Sequence, residues 1–320
     1  MSKLVKWGIL GLARIAKNEI IPAIKKNENS LLYAVASRDI HKINEYKHNS
    51  DWVKSYLSYD TLLDDPEVDA VYIPLPNSLH KEWTIKALQR GKHVLCEKPI
   101  ALNVKECEQM IDTSIKYDRL LMEAFMYRYS DRIKKVNELL NNNIIGEIRQ
   151  INSTFRFFLN NTSDIKLQPE LGGGSLYDIG SYPVNFIGMI MNALPTAYKA
   201  VSNNYNGVDT LFSGILRYEN GVIANINCGF NAFQEIHSTI IGTDGIIEIP
   251  DTFAGNKGEI TIVSNERILH INADDCNLYT LEIADFTNAI LGMSPLSFSL
   301  QESLLNMIVI EKLLFSLRDG

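Results

Sequence analysis

The sequence predicts an α/β chain in two parts. A doubly wound parallel sheet comes first, and an α+β domain built on an open, largely antiparallel sheet follows it. Three observations carry this. Up to about residue 122, short apolar runs alternate with stretches of helical periodicity, the signature of strands joined by crossover helices. Beyond Phe125 the period changes to long alternating runs with few helices between them. A length of 320 residues with 46% hydrophobic and 22% charged residues supplies two cores, which a chain of this size usually needs. The division expected is 1–122 and 123–320.

In order, Leu4–Leu10 reads as a buried strand, Ala13–Lys26 as a helix, Leu31–Ser37 as a second strand and Ala70–Ile73 as a third. Asn77–Arg90 has Leu79, Trp83, Ala87 and Leu88 on one face and stops at Gly91, a residue that accepts the left-handed conformation closing a helix. Lys92–Cys96 is a strand. Asn103 and Glu106 form a capping box opening the next helix, and Leu120–Ala124 completes the set. In the second part, strands are expected over Ile148–Leu159, Thr210–Tyr218, Val222–Phe230, Thr239–Ile249 and Ile260–Ile271. Asn220-Gly221 marks a hairpin between two of them. Ser299 and Glu302 cap a last helix, about 300–317.

Composition excludes several classes. The formal charge is −7, with 38 acidic against 31 basic residues, and no basic stripe marks a nucleic-acid surface. No apolar run reaches membrane-spanning length. The opening residues lack signal-peptide architecture. The four cysteines are scattered and no His/Asp/Glu cluster has metal-ligand spacing, so neither a disulfide framework nor a metal is expected. The expected location is the cytoplasm. The expected partners are a small molecule and further copies of the chain, as a homodimer or higher oligomer, because a sheet with an apolar open face needs a cover.

Directly after the first strand stands Gly11-Leu12-Ala13-Arg14-Ile15-Ala16, a G-x-A-x-x-A variant of the Rossmann dinucleotide fingerprint. The glycine allows the tight turn, and small residues let the helix N-terminus approach a pyrophosphate. The second strand ends in Ser37-Arg38 where an acidic residue would suit NAD. A hydroxyl and a guanidinium suit a 2′-phosphate, which favours NADP while leaving NAD open. Three further segments fall at the same sheet edge: Pro74-Leu75-Pro76-Asn77-Ser78-Leu79-His80, Cys96-Glu97-Lys98-Pro99 and Glu123-Ala124-Phe125-Met126-Tyr127-Arg128. Ligands of open α/β sheets bind along that edge.

With these motifs in this order, and with Gly172-Gly173-Gly174-Ser175-Leu176-Tyr177-Asp178-Ile179-Gly180-Ser181-Tyr182 after them, the chain resembles the glucose–fructose oxidoreductase/inositol dehydrogenase family (Gfo/Idh/MocA). It looks closest to the branch of NADP-dependent aldose dehydrogenases and trans-dihydrodiol dehydrogenases, where tyrosine takes the place that histidine has in many relatives. The resemblance implies hydride transfer between the nicotinamide and an aldose, sugar derivative or diol. It implies a cis bond between Lys98 and Pro99, Lys98, Tyr182 and Asp178 as the catalytic set, and cofactor contacts at Gly11 to Ile15, Ser37, Arg38, Leu75, Asn77, His80, Glu97, Lys98 and Arg128. Substrate contacts would come from Lys98, Tyr127, Arg156, Asp178 and Tyr182.

The chemistry agrees with these residue types: alcohol oxidation needs a group for the hydroxyl proton, and a lysine ammonium favours both an alkoxide and a nearby tyrosinate. Asp178 and Tyr182 are four apart and share a face in a helix, which Pro183 makes restart or bend. His80 either caps its helix or serves as cofactor contact or proton relay. Arg156 faces away from Phe155 and Phe157, either toward substrate hydroxyls or toward solvent. Residues 160–170 are expected to form a substrate-reading loop. Two other functions share these features: reduction of a keto or imino sugar, and non-catalytic dinucleotide sensing.

Overall fold

The computed structural model describes residues 4–48, 54–255 and 257–317. It divides into two compact units, Met1–Phe125 with Tyr279–Ser303, and Met126–Leu278 with Leu304–Gly320.

The first unit is built on six parallel strands: β1 (Val5–Leu10), β2 (Ser30–Ala36), β3 (Lys54–Tyr56), β4 (Ala70–Ile73), β5 (His93–Glu97) and β6 (Leu121–Ala124). Their order across the sheet is β3-β2-β1-β4-β5-β6, so the winding reverses between β1 and β4. All four residues of β4 and all four of β6 are buried, as in a parallel sheet covered on both faces. The connecting helices are α1 (Ile21–Lys26), α2 (Ile40–His48), α3 (Tyr59–Leu63), α4 (His80–Gln89) and α5 (Val104–Tyr117). A π turn over Ala16–Ile20 leads into α1, and a 3₁₀ turn over Asn77–Leu79 leads into α4. The expected capping box forms: the Glu106 N–H donates to Asn103 Oδ1 at 2.9 Å, while Glu106 Oε2 reaches back to the Leu102 N–H at 3.2 Å.

The first unit does not end at residue 122. It runs to Phe125 and takes back 279–303, so the chain crosses between units more than once. The cause is packing: Phe125 meets Phe298 at 5.8 Å, and Phe286 of a late helix covers Trp7 of β1 at 5.6 Å.

In the second unit α6 (Asp131–Asn141) precedes β7 (Ile148–Phe158), and a π turn over Leu176–Gly180 leads into α7 (Ser181–Met191). Pro183 is the third residue of α7, directly after the π turn, so the helix changes pitch where the proline cannot donate to the preceding turn. Then come β8 (Ala197–Tyr205), β9 (Val208–Arg217), β10 (Ile223–Gly229), β11 (Asn231–Gly242), β12 (Gly245–Pro250), β13 (Gly258–Ser264) and β14 (Ile268–Ala273). The chain closes with α8 (Leu278–Ile290) and α9 (Leu300–Ser316). The eight strands order as β14-β13-β12-β11-β7-β10-β9-β8, every neighbour antiparallel except β7 with β10.

The Asn220-Gly221 hairpin joins β9 to β10, with Gly221 at φ +85°. Ser299 and Glu302 cap α9 as expected. Two runs read as single strands are each a hairpin, because the chain turns at 243–244 and at 265–267.

The outer face of this sheet also differs from expectation. Its centre is an amide ladder rather than an apolar surface. Asn152 Oδ1 accepts from Gln150 Nε2 at 2.9 Å and Asn225 Nδ2 at 2.7 Å, and its own Nδ2 donates to Thr239 Oγ1 at 3.0 Å. Exposed Val201, Ile215 and Ile223 lie at one end of that face, by register with Ser213 and Arg217.

Candidate active site

In the first unit the candidate groups line the C-terminal ends of the strands. Gly11 adopts φ +112°, and a Cβ there would meet Leu75 Cδ2 at 3.0 Å. Only a glycine fits this turn. The helical turn that opens at Arg14 directs its first N–H groups outward, since no preceding carbonyl exists to take them. Leu12 is buried, Ala13 and Ile15 are half-buried and Arg14 is exposed.

At the end of β2, Ser37 is buried and its hydroxyl accepts the Asp39 N–H at 3.1 Å. Asp39 in turn accepts the His41 N–H at the start of α2. The serine therefore shapes the turn, and Arg38 is the exposed cation. Its guanidinium lies 5.7 Å from the centre of the Tyr59 ring and makes no ion pair among the described residues. A glycine cradle, a helix N-terminus and an aromatic-backed guanidinium fit a dinucleotide with a 2′-phosphate.

The Glu97–Ile100 turn is held by buried groups. The Lys98–Pro99 bond is cis. Tyr72 donates to Glu97 Oε1, and Glu97 Oε2 accepts the Lys98 N–H at 3.3 Å. Glu123 Oε1 accepts the Ile100 N–H at 2.9 Å. Lys98 and Asn77 are half-buried.

His80 is fully buried, with Nδ1 at 2.8 Å from the Pro99 carbonyl and Nε2 at 2.8 Å from the Leu75 carbonyl. Both carbonyls favour a protonated ring, but burial outweighs them and, with the Lys98 charge, pushes the imidazole pKa below its ordinary value. His80 thus ties the Pro74-Leu75-Pro76 segment to the Glu-Lys-Pro turn instead of lying open to a cofactor.

In the second unit Tyr182 sits among aromatic rings: Phe155 at 5.4 Å, Phe253 at 5.5 Å and Tyr127 at 5.8 Å. Its hydroxyl reaches Met126 Sδ at 3.6 Å. Phe253 is held there because the buried guanidinium of Arg132 donates to the carbonyls of Asp251, Ala254 and Lys257 around it.

Asp178 Oδ2 accepts from Lys166 Nζ at 2.7 Å. Lys166 comes from the 160–170 segment, and the glycine triplet explains its position. A Cβ on Gly173 would stand 2.6 Å from the Lys166 carbonyl, and one on Gly174, at φ +119°, only 2.4 Å from Asp209 Oδ1. The triplet is a seat for the Lys166 turn. Asp209 is buried and accepts from Ser175 Oγ at 2.6 Å and the Leu176 N–H at 2.8 Å, anchoring the segment that leads to Asp178 and Tyr182.

Two expected substrate contacts do not join this group. Tyr127 is fully buried and its hydroxyl donates to Asn185, so it is a packing partner beneath Tyr182. Arg156 lies on the face of β7 opposite Phe155 and pairs with Glu235 of β11. Arg128, expected at the cofactor, is half-buried and meets Asn185 Oδ1 at 3.4 Å. Asp209 and Phe253 gave no signal in the sequence, since each enters through long-range packing, and Lys166 was covered only by the expectation for 160–170.

Comparison with known proteins identifies the family. A family model described as an oxidoreductase family with an NAD-binding Rossmann fold matches residues 5–125, and the GFO/IDH/MocA C-terminal domain matches residues 133–248. The chain belongs to the GFO/IDH/MocA family of oxidoreductases.

Among relatives, D-xylose 1-dehydrogenase (NADP(+)) 2 of Haloferax volcanii is 33% identical over 89% of this chain and 88% of its own. A trans-1,2-dihydrobenzene-1,2-diol dehydrogenase of Xenopus tropicalis is 32% identical over 77% and 75%. A 3-ketoreductase from Actinomadura kijaniata, solved with NADP and TDP-benzene, superposes with a TM-score of 0.93 at 26% identity, covering 98% of both chains. The GFO/IDH/MocA assignment accounts for the parallel sheet, the open second sheet and the edge motifs together. Among the described residues no helix is long and apolar enough to cross a membrane, and no three metal-ligating side chains converge.

Proposed function

We propose that this chain is an NADP-dependent oxidoreductase acting on a small polyhydroxylated compound, an aldose, sugar derivative or diol. The observation that carries the reading is the braced Glu97–Ile100 turn: three buried side chains, Tyr72, His80 and Glu123, serve to fix one half-buried lysine. Such preorganisation is what electrostatic catalysis requires.

The first helical turn after Gly11 and the Arg38 guanidinium hold the dinucleotide, the latter through its 2′-phosphate. The bound nicotinamide supplies hydride transfer. Lys98 stabilises charge on the substrate oxygen, Tyr182 Oη takes or returns the hydroxyl proton, and Asp178, paired with Lys166, orients a neighbouring hydroxyl. The rings of Phe155, Phe253 and Tyr127 keep water from the tyrosine.

The reverse direction, reduction of a keto sugar, uses the same groups. It is favoured by the likeness to the Actinomadura 3-ketoreductase and by 33% identity to a dTDP-3,4-didehydro-2,6-dideoxy-alpha-D-glucose 3-reductase of Saccharopolyspora spinosa. We place the protein in the cytoplasm, as a homodimer or higher oligomer formed through the open face of the second sheet. The amides of the ladder there already bond to one another within the sheet, so a second copy that covers them has fewer polar groups left to match.

The test is a panel of aldoses, diols and keto sugars followed at the reduced-nicotinamide absorbance with both cofactors. Turnover with NADP in either direction is expected. Tight NADP binding with no turnover of any member refutes the enzyme.

A further inference from the structure

We propose that Glu123 is a positioning residue for Lys98: its buried carboxyl grips the backbone just past the Lys98–Pro99 bond and sets the charge that Lys98 faces. The inference rests on the role given to Lys98 above and deepens it.

Glu123 is the third residue of the four-residue β6 and is 3% exposed. Glutamate is seldom buried to this degree without a cationic partner or a full set of hydrogen bonds. Here one oxygen takes the Ile100 N–H at 2.9 Å. The other, Oε2, is buried with no hydrogen-bond partner in good geometry, although the Ser303 hydroxyl lies beside the carboxyl.

From the other side, Tyr72 and Glu97 hold the start of the turn, and His80 holds the Pro99 carbonyl. Glu97, Pro99 and Ile100 are thus each fixed through a buried partner, and the Lys98 N–H through Glu97. Any neutral acceptor would serve the Ile100 N–H. What distinguishes a carboxyl is that it carries charge.

The groups facing Glu123 are Cys96 and Glu97 of β5, Lys98, Cys107 of α5 and Ser303 of α9. Burial keeps both thiols protonated, Cys107 being pushed up to about 12. Burial pushes the Glu123 carboxyl up to about 7, helped by Glu97 and opposed by Ser303, the Ile100 N–H and the Lys98 charge. Burial therefore moves the protonation change of this carboxyl toward neutrality. Its acid form has the Ser303 oxygen as an acceptor. Its carboxylate form is the one that the Lys98 charge favours.

The experiment separates this inference from catalysis. Lysines are reductively methylated with ¹³C-formaldehyde, and the Lys98 resonance is identified as the one missing in Lys98→Arg. It is then followed from about pH 5 to 9 in the wild-type protein, Glu123→Gln and Glu123→Leu. Glu123→Gln keeps the Ile100 acceptor and removes the charge.

The expected result is a step in the Lys98 shift centred near 7 that is absent from Glu123→Gln. In kinetics, the limb near that pH disappears from the kcat profile of Glu123→Gln while the KM for cofactor is unchanged. Glu123→Leu loses at least about tenfold more in kcat than Glu123→Gln. A wild-type Lys98 resonance without that step, or the same step in Glu123→Gln, overturns the inference. A wild-type protein with no turnover refutes the proposed function while the resonance still decides Glu123, and a Glu123→Leu chain that does not fold leaves Glu123→Gln to decide it.

Discussion

Tyr182→Phe isolates the proton transfer from the packing around it. The ring is 8% exposed and meets three aromatic neighbours between 5.4 and 5.8 Å, all contacts that phenylalanine keeps. The oxygen it removes reaches the Met126 thioether at 3.6 Å, a weak acceptor. The stability cost is that of a modest hydrogen bond, about 1 kcal/mol or less, which for a domain of this size moves Tm by about 2–4 °C.

The chemical cost is of another order. Loss of a positioned acid/base lowers the rate by about 10²–10⁴, or about 2.7–5.4 kcal/mol at 1.36 kcal/mol per decade. Removing the whole ring in Tyr182→Ala would instead cost about 3–5 kcal/mol of folding stability. Turnover at saturating substrate, NADP affinity by fluorescence quenching and thermal melts of the two variants give the three readouts. The expected pattern for Tyr182→Phe is lost turnover with cofactor affinity and Tm nearly intact. Near-normal turnover, or a rate loss matched by collapse of Tm, refutes the assignment.

Three further outcomes are expected. Arg38→Ala weakens NADP by about 10- to 150-fold, the worth of a charge-assisted phosphate contact of about 1.5–3 kcal/mol, and spares NAD; equal losses in titrations of both cofactors count against NADP. Glu123 holds its proton in the folded state between its ordinary 4.5 and about 7, so its contribution to stability is complete below the lower value and disappears as pH rises through the upper one. At 1.36 kcal/mol per pH unit the wild type loses about 3 kcal/mol relative to Glu123→Gln over that window, and parallel denaturant curves across pH would contradict this. Light scattering at micromolar concentration gives the mass of a dimer or larger assembly, and a monomer mass removes the second sheet as an interface.

Much of the first unit was legible because strands and helices differ in period and because both capping boxes are local. The strand β3 was missed: three residues at a sheet edge leave no periodic trace. So was β8, an edge strand with a mostly solvated surface, whose Lys199, Ser202, Asn203 and Asn204 leave little apolar alternation to read. The 243–244 and 265–267 turns were hidden because apolar β-branched residues flank them on both sides.

At the candidate site, residue type and order were readable but accessibility was not. His80, Ser37 and Tyr127 are polar residues beside a predicted ligand edge, and all three are buried. Alternation separated Arg156 from Phe155 correctly, yet only the packing of Phe155 on Tyr182 shows which face of β7 carries the aromatic cluster.

The packing of Phe286 on Trp7 has a consequence for how the protein is made. These rings are about 280 positions apart, so on a ribosome adding about 5–20 residues per second the strand that leaves first waits roughly 14–56 s for its cover. Ser30 waits almost as long for Thr287, whose hydroxyl it meets at 2.9 Å. A nascent chain ending at Phe125 would display all six strands and the fingerprint glycine while leaving Trp7 without this cover. Synthesis of the first unit is thus complete only after the second sheet has been translated, and its order on the ribosome depends on holding an uncapped sheet soluble until then.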